Sequence, residues 1–321
     1  MTSRTVDILV TGASGFVGRR LARRLAEAFP DATILGADRR PPDDSDAVVA
    51  HAELDITDRR AVAALVAEHK PALVFHLAAQ AHVPTSFAEP VPTWNVNLMG
   101  TLHLVEAVRD AVPEARFVHV GSAEAYGSEF LRGVPLAEDA AFAPLNPYAA
   151  SKAAADLLVR QQAAAGLRAV VLRPFNHVGP GQRRDFVVSA FCSQIAGIER
   201  GLQEPVIMVG NLDARRDFLD VRDVLDAYVA VVARGGDLRP GSAYNLCSGR
   251  TVAIRDVLED LLALSRVAID VRVDAARLRP VEIPVMAGDA GAARAALSWE
   301  PRIPWRQTLA DTLAYWRDTL A

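Results

Sequence analysis

The fold is decided by Thr11-Gly12-Ala13-Ser14-Gly15-Phe16-Val17-Gly18, a glycine-rich turn near the start of a 321-residue chain. The apolar run at 6–10 predicts a buried parallel strand before the turn, and Leu21 and Leu25 predict a helix after it. Glycines let the backbone turn tightly, and a helix amino terminus offers amides and a favourable dipole to a pyrophosphate. The G-x-x-G-x-x-G spacing could occur in an ordinary strand-to-helix connection, but this context favours a dinucleotide-binding turn.

A second predicted strand, at 33–37, ends at Asp38. An acid about 20 residues beyond the glycines suits the adenosine ribose hydroxyls and favours NAD(H). Arg39 and Arg40 could instead contact the 2′-phosphate of NADP(H), or could form only a solvated charge cluster. The sequence therefore predicts NADH as cofactor, with NADPH tolerated.

Tyr148 and Lys152 are four residues apart, so a helix would place them on the same face. An ammonium beside a phenol lowers the phenol pKa from its free value of about 10. Tyr148 could then donate or accept a proton, and Ser122, directly after an apolar run, could hydrogen-bond a substrate oxygen. Such pairs are common on solvated helix surfaces, and the combination with the glycine turn, Ser122 and the helix-starting Pro147 favours catalysis.

Composition excludes several classes of function. The chain is 51% hydrophobic with a net charge of −4, so electrostatics favour neither nucleic acid nor an anionic membrane as partner. Cys192 and Cys247 lack metal-ligand spacing, and we expect no metal site. No apolar run approaches the roughly 20 residues that span a bilayer, and the amino terminus shows no signal-peptide pattern. We expect a cytoplasmic protein.

Five motifs appear in the order and spacing of the extended short-chain dehydrogenase/reductase superfamily, which the chain resembles from end to end. They are TGASGFVG at 11–18, HLAAQ at 76–80, GSAEAYG at 121–127, NPYAASK at 146–152 and RPFNHVGPGQ at 173–182. The resemblance implies an α/β fold with a Rossmann-type, doubly wound, mostly parallel sheet and a smaller C-terminal substrate domain. The Rossmann domain would comprise 1–175, completed by about 217–247, and the nucleotide-sugar domain 176–216 and 248–321.

The resemblance also implies site residues. The catalytic residues would be Ser122, Tyr148, Lys152 and Glu124. The cofactor would be bound by Gly12, Gly15, Phe16, Val17, Gly18, Asp38, Arg39, Asp55, Ile56, Leu77, Ala78 and Ala79, together with Tyr148 and Lys152. The nucleotide-sugar would be bound by Ser86, Ser122, Asn176, Asn211, Arg216 and Arg279. The family pairs subunits through the helix predicted at 92–112 and the helix of Tyr148, which implies a homodimer, although the alanines of the latter would also suit packing within one chain.

The stretch GNLDARRDF at 210–218 resembles enzymes that act on GDP-mannose derivatives. The implied reaction is NAD(P)H-dependent reduction of the C4 ketone of GDP-4-dehydro-6-deoxy-D-mannose to GDP-D-rhamnose. Many related dehydratases carry two acids after the serine, whereas this chain has Ala123 and then Glu124, as in GDP-mannose 4,6-dehydratases. Elimination from GDP-mannose, reduction to GDP-6-deoxy-D-talose and a non-catalytic dinucleotide sensor remain alternatives, and Glu124 could serve only to order the site.

Overall fold

The computed structural model describes residues 7–40, 50–234, 236–274 and 283–320. Within these ranges, a seven-stranded parallel sheet has the order β10-β6-β5-β4-β1-β2-β3. Its strands are β1 (Ile8–Thr11), β2 (Ile34–Asp38), β3 (Ala50–Glu53), β4 (Leu73–His76), β5 (Arg116–Val120), β6 (Arg168–Pro174) and β10 (Ala243–Leu246). The helices between them are α1 (Gly18–Ala28), α2 (Arg59–His69), α3 (Val83–Ala88), α4 (Pro90–Trp94), α5 (Gly100–Ala111) and α6 (Pro147–Ala164). The predicted Rossmann-type sheet is confirmed.

The sheet has an apolar core on each face because alternate residues of its strands point in opposite directions. Val10 and Val118 pack on the face that also holds Leu225 of the later helix α8 (Val221–Ala233). Leu9 and Phe117 pack on the opposite face, beneath α2, α5 and α6. Both faces are covered, as expected for a parallel sheet, so the carboxyl ends of the strands are left to form a site.

The remaining elements build a second region. They are β7 (Asn176–Val178), α7 (Val187–Glu199), β8 (Val206–Val209), β9 (Arg215–Asp220), β11 (Thr251–Ala253), α9 (Ile254–Leu262), β12 (Asp270–Val273), β13 (Val285–Met286), α10 (Gly291–Leu297) and α11 (Trp305–Thr319). A small sheet has the order β11-β9-β13, with β7 also on β9, and β12 pairs with β8. The boundary predicted at 217 falls inside β9. Helix α10 packs on α8 and β10 of the first region.

Two local features differ from the expectations. The helix predicted at 92–112 is α4, a π-helical turn (Asn95–Met99) and α5 in succession. Strand β3 lies at the polar edge of the sheet, where Ala50 and Glu53 are exposed, so no apolar run marks it. None of the helices in the described parts of the chain has the length and apolarity to cross a membrane.

Candidate active site

The glycine turn is shaped for close approach. Gly12 has φ of +73°, and a Cβ there would lie 2.7 Å from the amide nitrogen of Ala78 at the end of β4. A Cβ on Gly18 would collide with the carbonyl oxygen of Gly12. A side chain on Gly12 would meet the backbone at the end of β4, and one on Gly18 would meet the turn itself, so the close packing requires glycine at both positions and fits a bound dinucleotide.

Asp38 lies beside the turn, as predicted. Its carboxylate accepts hydrogen bonds from the backbone amides of Ser14 at 3.1 Å and Arg39 at 2.7 Å. The Ser14 hydroxyl donates to the carbonyl of Arg40 at 2.6 Å. Both carboxylate oxygens therefore order the backbone, while Arg39 and Arg40, directly after Asp38, are exposed. This arrangement suits a 2′-phosphate better than the sequence reading assumed.

The other predicted cofactor residues line the same end of the sheet. Asp55 is exposed, and hydrogen bonds from the amide and hydroxyl of Thr57 lower its carboxyl pKa. Ile56 is buried against α5, where a Cβ on Gly100 would lie 2.7 Å from its methyl carbon. Leu77 and Ala79, which flank Ala78, are half-buried.

Phe16 joins the turn to the second region. Its ring stacks on His177 at a centroid distance of 6.3 Å, and the Arg20 guanidinium lies over it at 4.7 Å. Arg20 also donates to the carbonyls of Phe16 and Pro180, so the loop after β7 is tied to α1. Sequence reasoning did not assign Arg20; the signal for it was an arginine directly after the glycine turn.

Ser122 and Tyr148 come together, with the Ser122 side chain near enough to act on the phenol. Burial, the largest effect, raises the pKa of Tyr148 to about 12, the neighbouring Ser122 opposes this, and the charge of Glu124 adds to it. The expected lowering of the phenol pKa by Lys152 is therefore wrong for this structure, because burial is the largest effect on Tyr148 and Lys152 is not among the groups that act on it. A raised pKa keeps the phenol protonated, as a proton donor requires.

Lys152 is almost completely buried, and its Nζ donates to the carbonyl of Val120 at 2.7 Å. Burial lowers its pKa to about 8, while the carboxylate of Asp156 acts in the opposite direction. His76 and His119 lie beneath it, and burial holds their pKa values far below the usual range. The Lys152 ammonium therefore has two uncharged imidazoles, those of His76 and His119, as neighbours.

Glu124 stands at the edge of this group, and Asn146 orders it. The Asn146 amide donates to the Glu124 carboxylate at 3.4 Å, and its oxygen caps α6 by accepting from the amide of Ala149 at 2.7 Å. An Asn cap before a proline is a standard start for a helix. Asn146 directly before Pro147 is therefore the sequence signal for this helix cap, although no role was predicted for Asn146 from the sequence.

The predicted substrate residues are placed less uniformly. Arg216 of β9 is 9% exposed and donates to the carbonyl of Ile283 at 2.8 Å. Asn176 begins β7 and is half-buried, and the Asn211 side chain accepts from the amide of Asp213. Arg279 lies outside the described residues.

The predicted contact of Ser86 with the nucleotide-sugar does not agree with the structure. It is completely buried, and its hydroxyl donates to the carbonyl of Val83, one turn earlier in α3, at 2.7 Å. A hydroxyl enclosed in this way satisfies its own helix and does not face an open cleft. The substrate site proposed below therefore does not include Ser86.

A glycine turn after β1 and a Ser122–Tyr148–Lys152 cluster at the carboxyl ends of parallel strands define an extended short-chain dehydrogenase/reductase. The profile of the family described as GDP-mannose 4,6 dehydratase matches residues 9–312. The chain belongs to this family.

Individual relatives agree with this placement. The chain is 36% identical over 313 residues to a GDP-6-deoxy-D-mannose reductase of Pseudomonas aeruginosa, covering 97% of each chain. It is 31% identical to a GDP-mannose 4,6-dehydratase of Sinorhizobium fredii, covering 83% of this chain and 81% of the other. The structure of RMD from Pseudomonas aeruginosa complexed with NADPH superposes with a TM-score of 0.83 at 34% identity, covering 98% of this chain and 100% of that one. The predicted nicotinamide cofactor is confirmed.

Proposed function

We propose that this chain reduces the C4 ketone of GDP-4-dehydro-6-deoxy-D-mannose to GDP-D-rhamnose with NADPH or NADH. The observation that carries the proposal is the Tyr148 phenol, which burial keeps protonated and which lies beside the Ser122 side chain. A ketone becomes an alcohol by gaining a hydride at carbon and a proton at oxygen. A phenol that stays protonated suits the second of these steps.

Ser122, Tyr148 and Lys152 then have distinct roles in the reduction. When bound, the reduced nicotinamide supplies the hydride. Ser122 orients the ketone oxygen by hydrogen bonding, and Tyr148 transfers its Oη proton to that oxygen. Lys152 holds the nicotinamide ribose and stabilises the phenolate that remains, because its ammonium lies in a buried, low-dielectric setting.

The nucleotide-sugar would lie between the two regions. Arg216 supplies a planar guanidinium that can bond two phosphate oxygens at once. We propose the same role for Arg279, and polar contacts to the nucleotide from Asn176 and Asn211. The similarity to a GDP-6-deoxy-D-mannose reductase supports the choice of a GDP-linked sugar.

Glu124 supports a second candidate, GDP-mannose 4,6-dehydratase. Its carboxylate lies near enough to Tyr148 to raise the phenol pKa, so it could act as a base on the sugar. The bond from Asn146 favours instead an ordering role, in line with the reductase. The face of hydride attack decides between GDP-D-rhamnose and GDP-6-deoxy-D-talose.

We also propose a cytoplasmic homodimer. Cys192 and Cys247 are free and buried, as in proteins of reducing compartments. Ala149 and Ala153 pack inside the chain, so the face available to a partner is the outer one, where Leu157 is 56% and Met99 39% exposed.

Leu157→Glu should therefore convert the dimer to a monomer, because it would bury a charge in an apolar interface. Light scattering after gel filtration measures the mass. Leu202→Glu, on a similarly exposed leucine in the other region, is the matched control and should leave the dimer intact. A monomeric wild-type protein would refute the dimer.

The reductase is tested by nicotinamide absorbance with GDP-4-dehydro-6-deoxy-D-mannose and either NADPH or NADH. We expect oxidation of the cofactor matched mole for mole by a GDP-6-deoxyhexose, whose C4 configuration is read by NMR. Absence of oxidation, together with formation of the keto sugar from GDP-mannose alone, would replace the reductase by the dehydratase.

A further inference from the structure

A buried ion pair lies directly below the active site. On α6, Tyr148, Lys152 and Asp156 succeed one another at four-residue spacing, so they form one row on the helix. Arg173 of β6 bonds both carboxylate oxygens of Asp156, at 2.8 and 3.0 Å. Arg173 is 0% and Asp156 1% exposed, so neither has contact with solvent.

The pair also touches the strand end that carries Ser122. A methyl group on Gly121, the residue before Ser122, would lie 3.5 Å from Oδ2 of Asp156. Arg173 donates to the hydroxyl of Tyr126 at 2.8 Å, in the 3₁₀ segment that begins right after Ser122. One ion pair therefore links the Ser122 segment to the helix of Tyr148 and Lys152.

The charges around Lys152 leave a specific task for Asp156. The titratable groups coupled to Lys152 are His76 on β4, His119 on β5 and Asp156 on α6. Glu124 acts on Tyr148, and Arg173 on β6 pairs with Asp156. The histidines are neutral, and neither ring nitrogen of His119 has a partner among the described residues. Within those same residues, no carboxylate pairs directly with Lys152. Asp156 is the neighbour whose charge favours the ammonium.

We propose that Asp156, fixed by Arg173, is a positioning residue that keeps Lys152 charged and holds the Ser122 segment against the catalytic helix. The inference deepens the proposed function and rests on it for the role of Lys152. Removal of the carboxylate would take away the charge that favours the Lys152 ammonium and would leave the buried Arg173 guanidinium without its ion-pair partner. Removal of both members would cancel part of that effect, because the two charges oppose each other.

The chain allows a direct test because Lys70 and Lys152 are its only two lysines. Protein labelled with ε-¹³C-lysine should give two NMR signals, with exposed Lys70 as the internal reference. In Asp156→Asn, the titration midpoint of Lys152 should fall by about one pH unit. In the double variant Asp156→Asn/Arg173→Gln it should fall by less. The Lys70 signal should titrate identically in all three proteins.

Turnover provides the second readout. The kcat/KM of the wild type should decline as pH rises through about 8, where Lys152 loses its proton, and the decline should begin at lower pH in the order of the NMR midpoints. Glu199→Gln, at an ion pair between α7 and α11, is the control and should leave this profile unchanged.

Equal Lys152 midpoints in the wild type and the variants would overturn the inference. If Asp156→Asn does not fold, the double variant decides, because replacing a whole buried pair is tolerated better than breaking one. The NMR titration needs no substrate. Shifted midpoints in a protein that reduces no ketone would therefore refute the proposed function alone, and unshifted midpoints in an active reductase would refute this inference alone.

Discussion

The two regions of the molecule use buried charge differently. In the first region, Lys152 and Asp156 on α6 and Arg173 on β6 are at most 5% exposed. In the second region, Arg216 lies on β9 and donates a hydrogen bond to the carbonyl of Ile283. Glu199 there bonds Arg317 at 2.6 and 2.7 Å and links α7 to α11.

This difference teaches which property each charge controls. Under the proposed function, the buried charges near Tyr148 act on proton transfer, because electrostatic interactions are stronger in a low-dielectric interior than in water. Under the proposed function, Arg216 on β9 acts on binding of an anionic ligand. The pair of Glu199 and Arg317 lies away from both and acts on the stability of the fold. Substitutions of these residues should therefore change turnover, ligand affinity and folding stability separately.

The largest effect is expected from Tyr148→Phe. Loss of the proton donor should lower kcat about 1000-fold, while cofactor binding, measured by nicotinamide fluorescence, should stay unchanged. Tyr315→Phe on α11 is the matched loss of a phenol hydroxyl and should retain full turnover. Full activity of Tyr148→Phe would show that another group supplies the proton. Cofactor binding without turnover in both the wild type and the variant would favour the non-catalytic dinucleotide sensor.

Arg216→Ala should have the next largest effect. Loss of charge-assisted bonds to the diphosphate, worth about 2 kcal/mol, should raise the dissociation constant for GDP about 30-fold in calorimetry. The matched control is Arg215→Ala, because the exposed Arg215 guanidinium donates to Thr251 and should leave GDP affinity unchanged. Equal affinities in both variants would remove the diphosphate role from Arg216.

The smallest effect on activity is expected from Glu199→Gln. Hydrogen bonds from Arg317 lower the pKa of Glu199, so the pair stabilises the fold above the unfolded-state pKa of about 4.3 and loses this contribution as pH falls through the lower folded value. The variant should lose about 2 kcal/mol of unfolding free energy at pH 7, and less at pH 4. Urea denaturation measures both. Turnover should remain that of the wild type, and a loss at pH 7 confined to turnover would contradict the comparison.

The sequence predicted the parts of the fold that depend on short-range rules. A buried strand, three glycines and an amphipathic helix specified the first unit, and the segment at about 217–247, expected to complete the Rossmann domain, contributes β10 to the sheet. The edge strand β3 and the π-helical turn inside 92–112 depend on tertiary pairing, so no local pattern marks them.

The site was predictable in membership more than in electrostatics. Ser122 and Tyr148 meet as expected, but the direction of the phenol pKa depends on burial, which a sequence does not state. Asp38 accepts a hydrogen bond from the glycine turn and Ser86 donates one to its own helix, contacts that depend on the folded structure. The resemblance assigned Arg216 but gave no indication that Asp156 lies against Gly121.

The most direct measurement of the central claim follows the hydride itself. NADPH carrying deuterium at the transferable position is incubated with GDP-4-dehydro-6-deoxy-D-mannose and the wild-type protein, and the product is read by mass spectrometry and NMR. The reductase predicts one deuterium per product molecule, at C4 of the hexose, and one equivalent of oxidised cofactor. A converted sugar without deuterium, with no net loss of reduced cofactor, would contradict the account.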